Sequence, residues 1–143
     1  MANKNIVSEF VKASGADAIP RMHRILNVDK SITDINIKDS TCNDRTALHY
    51  QCRNGTTGSV AWLLMQDPPP YINVRNSNQY TPLMDAVCSG KDSEGKVRLL
   101  LDHGADRDMK NEYGRTALDL ARSYNKPAAV IDMLKNHRPD VSR

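Results

Sequence analysis

The fold of this chain is decided by one stretch, Asn111-Glu112-Tyr113-Gly114-Arg115-Thr116-Ala117-Leu118-Asp119-Leu120-Ala121. Its first five residues are rich in turn-forming types, which predicts a hairpin-like loop. Thr116 follows at the point where a hydroxyl can cap the first turn of a helix. Leu118 is expected to face a layer between helices, and the small side chain of Ala121 lets a neighbouring helix approach closely. The stretch therefore predicts a loop followed directly by a short, capped helix.

The same helix start occurs twice more at a constant spacing. Three tetrapeptides begin with threonines that are 35 residues apart: Thr46-Ala47-Leu48-His49, Thr81-Pro82-Leu83-Met84 and Thr116-Ala117-Leu118-Asp119. Nine residues after each threonine comes Gly55, Gly90 or Asn125. These residue types accept the left-handed conformation that ends many helices. A fixed period of this kind predicts a repeat architecture in which similar units stack.

A second helix is predicted in each unit from aliphatic residues at spacings of three and four. The three sets are Val60, Leu63 and Leu64; Val97, Leu100 and Leu101; and Val130, Met133 and Leu134. The middle set is displaced by two residues through a charged insertion, Lys91–Lys96, which is expected to enlarge the turn between two helices. Each unit therefore consists of a loop, a short helix, a tight turn and a longer helix.

In these residues the chain is similar to ankyrin-repeat proteins. The resemblance is best in residues 111–121 and in Leu99–Asp106, and it extends over about residues 36–136. It implies an all-α solenoid of stacked helix-turn-helix units with β-hairpin-like loops. We expect one domain over residues 1–143, divided into an N-terminal capping repeat (1–36), repeat 2 (37–73), repeat 3 (74–108) and a C-terminal capping repeat with a short tail (109–143).

Three further features mark the first units. Residues 1–35 match the pattern less well, and Gly15 is expected to form their inter-helix turn, as suits a terminal unit with one solvent-facing side. The loop between Asn36 and Thr46 is longer than its counterparts, so the first finger should be extended. Pro68–Pro70 follow the second helix of repeat 2 and cannot continue it.

His49 allows two interpretations. A lone histidine suggests catalysis or metal binding, and Cys42, His49 and Cys52 together suggest zinc. Their spacing matches no standard zinc site, and a fourth ligand is missing. The resemblance implies instead that the His49 ring bonds between backbone segments of adjacent repeats. Cys52 falls on a small, packed position, whereas Cys42 is expected to be more exposed.

Composition and charge exclude several classes of protein. The chain has 143 residues, 39% hydrophobic and 26% charged, and its formal net charge is +3. Val60–Met65 is far shorter than the roughly 20 apolar residues of a membrane span, and Lys4, Glu9 and Lys12 interrupt any signal-peptide core. Because no basic block occurs, the sequence argues against nucleic-acid binding. We find no phosphate-binding loop and no nucleophile motif, so we expect no enzyme, metal or cofactor.

The resemblance implies a protein partner that contacts the finger tips and the concave face of the inner helices. The positions carried over to this chain, which we predict as partner-binding, are Arg45, Tyr50, Arg53, Asn54, Ser77, Asn78, Tyr80, Asp85, Ser89, Glu112, Tyr113, Arg115 and Tyr124. Tyrosine and arginine are enriched among the residues that dominate binding energy at interfaces. Loss of Tyr80 and Tyr113 together is expected to abolish partner capture without unfolding the chain.

The predicted function is a non-enzymatic adaptor or scaffold. The alternative is a dedicated inhibitor that masks a kinase or a transcription factor, in the manner of cyclin-dependent kinase inhibitors or IκB-like proteins, including those of viral or pathogen origin. Three widely spaced cysteines, an odd number, indicate a reducing compartment. We therefore expect a monomer in the cytoplasm or nucleus.

Overall fold

The computed structural model describes residues 3–137. These residues form four pairs of helices, and one pair lies within each of the four predicted segments. The pairs are α1 (Lys4–Val11) with α2 (Ala18–His23), which continues as a π-helical turn (Arg24–Val28); α3 (Ala47–Asn54) with α4 (Thr57–Leu64); α5 (Pro82–Cys88) with α6 (Ser93–Asp102); and α7 (Ala117–Ser123) with α8 (Ala128–Asn136). The end of the predicted C-terminal capping repeat, residues 138–143, lies outside the described residues.

The helices stack in two layers. Each inner helix (α1, α3, α5, α7) packs on the next, and the outer helices (α2, α4, α6, α8) do the same. Between residues 3 and 137 no strand forms, and only the first finger contains an antiparallel bridge, which joins Asp39 and Arg45. The predicted all-α solenoid is confirmed. In the described part of the chain, the fingers that we expected to be hairpin-like consist of tight turns.

Threonine caps begin three of the four inner helices, α3, α5 and α7, as predicted. The hydroxyl oxygens of Thr46, Thr81 and Thr116 accept hydrogen bonds from backbone N–H groups three residues later, at 3.4, 3.3 and 3.3 Å. Pro82 occupies the first turn of α5, where its missing N–H removes no helical bond. The repeat of 35 residues is therefore a repeat of helix starts.

The predicted helix ends are right in position, because Gly55 is the C-cap of α3, and α5 and α7 end two residues before Gly90 and Asn125. The left-handed conformation occurs in one of the three units. Asn125 has a φ of +52°, in the left-handed region. Gly55 has a φ of −88°, and Gly90 is not left-handed either, since α5 already ends at Cys88. Glycine fits position 55 for another reason. A Cβ there would lie 2.6 Å from Ser59 Oγ and 2.8 Å from the Gln51 carbonyl oxygen.

The core is the thin aliphatic layer that the spacing predicts. All nine residues of the three outer-helix sets are buried: Val60, Leu63, Leu64, Val97, Leu100, Leu101, Val130, Met133 and Leu134. The N-terminal unit joins this core through Phe10 and Met22, both fully buried, and Gly15 forms its turn with a φ of +80°. Trp62 is half-buried against the core and meets His23 edge-on, with 6.4 Å between ring centroids.

The charged insertion is not the surface loop we expected. Only its first two residues lie in the turn, because α6 begins at Ser93 and Asp92 caps it. Lys96 is fully buried one turn into that helix. Its Nζ donates to the Cys52 carbonyl oxygen at 3.2 Å and to Ser89 Oγ at 3.0 Å. Burial lowers the pKa of this amine, and the two acceptors offset part of the desolvation cost.

Lys96 belongs to a set of three equivalent bonds, which we call the carbonyl ladder. In each bond, a side chain of one repeat donates to a backbone carbonyl oxygen of the preceding repeat. That oxygen lies at the end of the inner helix or just past it. The bonds are Gln51 Nε2 to the Ala13 oxygen (2.7 Å), Lys96 Nζ to the Cys52 oxygen (3.2 Å) and Lys126 Nζ to the Ser89 oxygen (2.7 Å). Since helix C-termini carry unpaired carbonyl groups, the ladder satisfies one in each of three repeats.

Asparagine amides join the repeats on the loop side. Asn36 Oδ1 accepts from the Tyr71 N–H at 2.6 Å, and Asn73 Oδ1 accepts from the Asp106 N–H at 2.8 Å.

α4 ends at Leu64, before Pro68–Pro70 are reached. Within the described part of the chain, no helix is both long and apolar enough to span a membrane.

Candidate partner-binding groove

Six of the thirteen predicted partner-binding residues meet in one groove, with a volume of about 220 Å³. We call it the Arg–Tyr groove. It is lined by Arg45, Arg53, Asn76, Asn78, Tyr80, Glu112 and Tyr113. These residues come from the three fingers and from the inner helix α3. The structure thus brings together residues that lie up to 68 positions apart in the sequence.

The fingers hold the groove residues in fixed positions through buried side chains that we did not predict. Asn76 Oδ1 accepts from the N–H groups of Asn78 and Tyr80, at 2.9 and 3.0 Å. In the next finger, Asn111 Oδ1 accepts from Tyr113 and Arg115 in the same way, at 2.9 and 3.1 Å. The shared signal in the sequence is an asparagine five residues before the capping threonine.

The fingers are also bonded to one another. The Ser77 N–H donates to the Asn43 carbonyl oxygen at 2.9 Å, and the Glu112 N–H donates to the Asn78 carbonyl oxygen at 3.2 Å. Ser77 Oγ adds a bond to Asp44 Oδ2 at 2.8 Å. The three finger tips therefore form one connected edge of the groove.

The floor of the groove is an ion cluster around Asp85. Arg45 Nη2 and Arg53 Nη1 lie 3.7 and 3.4 Å from the same oxygen, Asp85 Oδ1. The other carboxylate oxygen, Oδ2, has no hydrogen-bond partner in the described part of the chain. Burial raises the pKa of Asp85 to about 6, although both arginines act to lower it. The prediction that Asp85 contacts a partner directly is wrong, because its side chain is fully buried.

Ser89 is the second wrong prediction in this set. It is buried beneath the turn between α5 and α6, where its hydroxyl accepts from Lys96 Nζ and from the Lys91 N–H, at 3.0 and 3.1 Å. The hydroxyl therefore holds the turn between α5 and α6 within one repeat. A partner on the concave face would not reach it.

The two tyrosines of the groove differ in environment. Tyr113 is 74% exposed at the tip of the third finger. Tyr80 is half-buried against the core, and its burial raises the pKa of the phenol. Its backbone oxygen accepts from His49 Nε2 at 2.9 Å. Tyr80 is therefore part of the scaffold as well as of the groove wall.

His49 has the structural role that the resemblance implies. Its Nδ1 accepts from the Thr46 N–H at 3.2 Å, so the ring proton is on Nε2 and is donated to the Tyr80 oxygen of the next repeat. Burial lowers the pKa of His49 to about 4. The ring is therefore neutral at physiological pH, and it fixes the second finger to α3.

The other predicted contact residues lie around the groove. Tyr50 is half-buried beside the core, and Arg115 and Tyr124 are exposed on the third finger and just past α7. Asn54 is exposed at the end of α3, beside a second cavity on the side of the inter-helix turns. The positions carried over from the family resemblance therefore cover a broad face of the molecule, and the groove is the concave part of that face.

No metal-binding cluster occurs among residues 3–137, where we find no group of three His, Cys, Asp or Glu side chains able to hold an ion. All three cysteines are free. Cys52 is fully buried, as predicted, and burial raises its pKa well above the ordinary value. Cys42 is half-buried, less exposed than we expected, with its sulfur 4.0 Å from Arg45 Nη1.

Comparison with known proteins gives consistent matches. A family model described as ankyrin repeats (3 copies) matches residues 2–106 and 68–143. The chain is 37% identical over 96 residues to a transient receptor potential cation channel subfamily A member 1 homolog of Caenorhabditis elegans. This alignment covers 67% of this chain and 7% of that protein. It is 37% identical over 76 residues to the putative ankyrin repeat protein YahD of Escherichia coli (strain K12), covering 50% of this chain and 36% of that protein. The chain thus spans a small part of these relatives.

Proposed function

This chain belongs to the ankyrin-repeat family, whose repeats are generally protein–protein interaction modules, and we propose that it works as an adaptor that binds its partner in the Arg–Tyr groove. The family is typically non-enzymatic. The observation that carries the proposal is that six of the predicted partner-binding residues line one concave site. We propose further that it acts as a monomer in the cytoplasm or nucleus.

The composition of the groove supports a protein ligand. Two arginines and two tyrosines line it, and these residue types dominate binding energy at many interfaces. The ring of Tyr113 is largely exposed in the free protein, so a partner that covers it removes apolar surface from water.

The rigidity of the fingers supports the same conclusion. Asn76 and Asn111 each hold two backbone N–H groups of their own finger, and backbone bonds join the three tips. A preformed site loses less conformational entropy on binding than a flexible one. The groove therefore has the properties of a docking site before any partner arrives.

The test is partner capture with a matched pair of tyrosine variants. Tyr113 and Tyr71 are similarly exposed, at 74% and 71%, but Tyr71 lies outside the groove. Tagged wild-type protein, Tyr113→Ala and Tyr71→Ala are used to capture proteins from lysate of the native source, followed by mass spectrometry. We expect Tyr71→Ala to retain the partner and Tyr113→Ala to lose it by about tenfold or more. Equal recovery by both variants would refute the groove as the binding site.

A further inference from the structure

We propose that the Arg–Tyr groove accepts a single carboxylate side chain of the partner, and that Asp85 acts as an internal competitor for the same two arginines. The inference rests on the proposed function, because it specifies the chemistry of that site. It assigns the ligand class to an aspartate or glutamate side chain of a protein segment.

The ion cluster on the groove floor is incompletely paired. Arg45 and Arg53 both approach Asp85 Oδ1, at 3.7 and 3.4 Å. Charge-assisted bonds between arginine and carboxylate are usually about 2.7–2.9 Å long. Arg45 Nε and Asp85 Oδ2 are buried and have no hydrogen-bond partner among residues 3–137. The native pairing is therefore loose, and both guanidinium groups retain unused donors.

Both arginines can be reached from the groove. Their side chains are 20% and 33% exposed, whereas Asp85 is at 0%. Two positive charges face one negative charge, so the floor carries a net charge of +1. A second carboxylate entering from the groove would meet free N–H donors in the fork geometry that arginine presents to such groups.

Glu112 restricts the ligand to one acidic side chain. It also lines the groove, where its Oε1 accepts from Asn78 Nδ2 at 3.2 Å. Its negative charge disfavours a run of acidic residues and favours a segment in which a neutral or basic residue follows the carboxylate. The expected occupant is therefore an acidic residue next to a basic one, in an extended partner segment.

The charge state of Asp85 sets the strength of the competition. The charged or titratable groups facing it are Arg45 from the first finger, Arg53 and Cys52 from α3, and Cys88 from its own helix. Burial raises the pKa of Asp85 to about 6. Protonation below that pH removes the competitor and leaves both arginines for the partner. A partner glutamate, with an ordinary pKa of about 4.3, remains charged there.

The test uses two capped pentapeptides that differ in one residue. One carries glutamate followed by lysine, and the other carries glutamine followed by lysine. Binding to the isotope-labelled full chain is followed by NMR at the Nε–H signals of Arg45 and Arg53. Peptide is added up to about 20 mM, a concentration that saturates even a millimolar site.

We expect the glutamate peptide to bind at least about fivefold more tightly than the glutamine peptide. Asp85→Asn should raise the affinity for the glutamate peptide about tenfold, and Arg53→Ala should lower it by a similar factor. In the wild type the affinity should rise between about pH 7.5 and about pH 5.5, and in Asp85→Asn it should not.

Two outcomes would overturn the inference in distinguishable ways. If both peptides bind equally and Tyr113→Ala weakens both, the groove is a docking site without carboxylate selectivity, and the proposed function stands. If neither peptide shifts the arginine signals at the highest concentration, the carboxylate site does not exist. In that case, retention of the lysate partner by Tyr113→Ala would show that the proposed function has failed as well.

Discussion

Replacing Asp85 by asparagine is expected to make this protein much more sensitive to acid. Two buried groups titrate in opposite senses on folding. The pKa of His49 falls from 6.5 to about 4 in the folded state, so its contribution to stability is lost as pH drops from 6.5 towards 4. The pKa of Asp85 rises from 3.8 to about 6, so its contribution is present at low pH and is lost as pH rises through about 6.

The two effects nearly cancel in the wild-type chain. Between about pH 7 and about pH 4.5, His49 removes about 2 kcal/mol from the free energy of unfolding, and Asp85 adds about 2 kcal/mol. In Asp85→Asn the gain in stability from Asp85 is absent, and only the loss from His49 remains. Asp39, Asp92 and Asp119, whose pKa values are lowered in the folded state, also lose stability in acid. They do so equally in both proteins and do not affect the comparison.

The assay is urea unfolding followed by circular dichroism at both pH values. We expect the wild type and Asp85→Asn to differ in their pH response by about 2 kcal/mol. Asp108→Asn is the matched control, because Asp108 is an exposed aspartate, and its pH response should follow the wild type. Free energies that fall in parallel for the wild type and Asp85→Asn would refute the opposing titration of the two groups.

Three stability predictions follow from the fold, each measured as the change in free energy of unfolding in urea. Thr81→Ala should cost about 1 kcal/mol, because it removes the cap of the inner helix α5; Thr81→Ser should recover most of it, and an unchanged stability in the alanine variant would contradict the cap. Gly55→Ala should cost about 1–3 kcal/mol through overpacking. The control Gly114→Ala should act only through its positive φ. An unchanged stability of Gly55→Ala would refute the close approach of Ser59 and Gln51 to position 55. Lys96→Ala should cost about 3 kcal/mol, since it leaves a cavity and the Cys52 carbonyl oxygen without its donor, and a cost equal to that of exposed Lys91→Ala would show that Lys96 is solvated.

The fold was predictable because its main signals are local and periodic. A threonine cap needs only a hydroxyl and an N–H three residues later, and burial of Val60, Leu63 and Leu64 follows from their spacing on one helix face. The role of His49 came from the resemblance, and the structure confirms it through the bond to Tyr80.

The predictions that were wrong concern contacts between repeats. Carrying family positions over to this chain one residue at a time does not include such contacts. Asp85 stands at the position of Tyr50 in the preceding repeat, so it was placed on the same face. Its burial depends on Arg45 and Arg53, which lie 40 and 32 residues earlier in the chain. The sequence places Lys96 in an insertion expected to enlarge a turn, because sequence alone does not show which backbone oxygen lies opposite an amine.

The carbonyl ladder has a consequence for synthesis of the chain on the ribosome. Each donor follows its acceptor oxygen by 38, 44 or 37 residues. At about 5–20 residues per second, the end of each inner helix waits about 2–9 s for the side chain that satisfies it. Each of the first three repeats is thus completed by the one translated after it. A nascent chain that is released before Lys96 is added leaves the Cys52 carbonyl group without its donor, so truncation weakens the repeat that precedes the break.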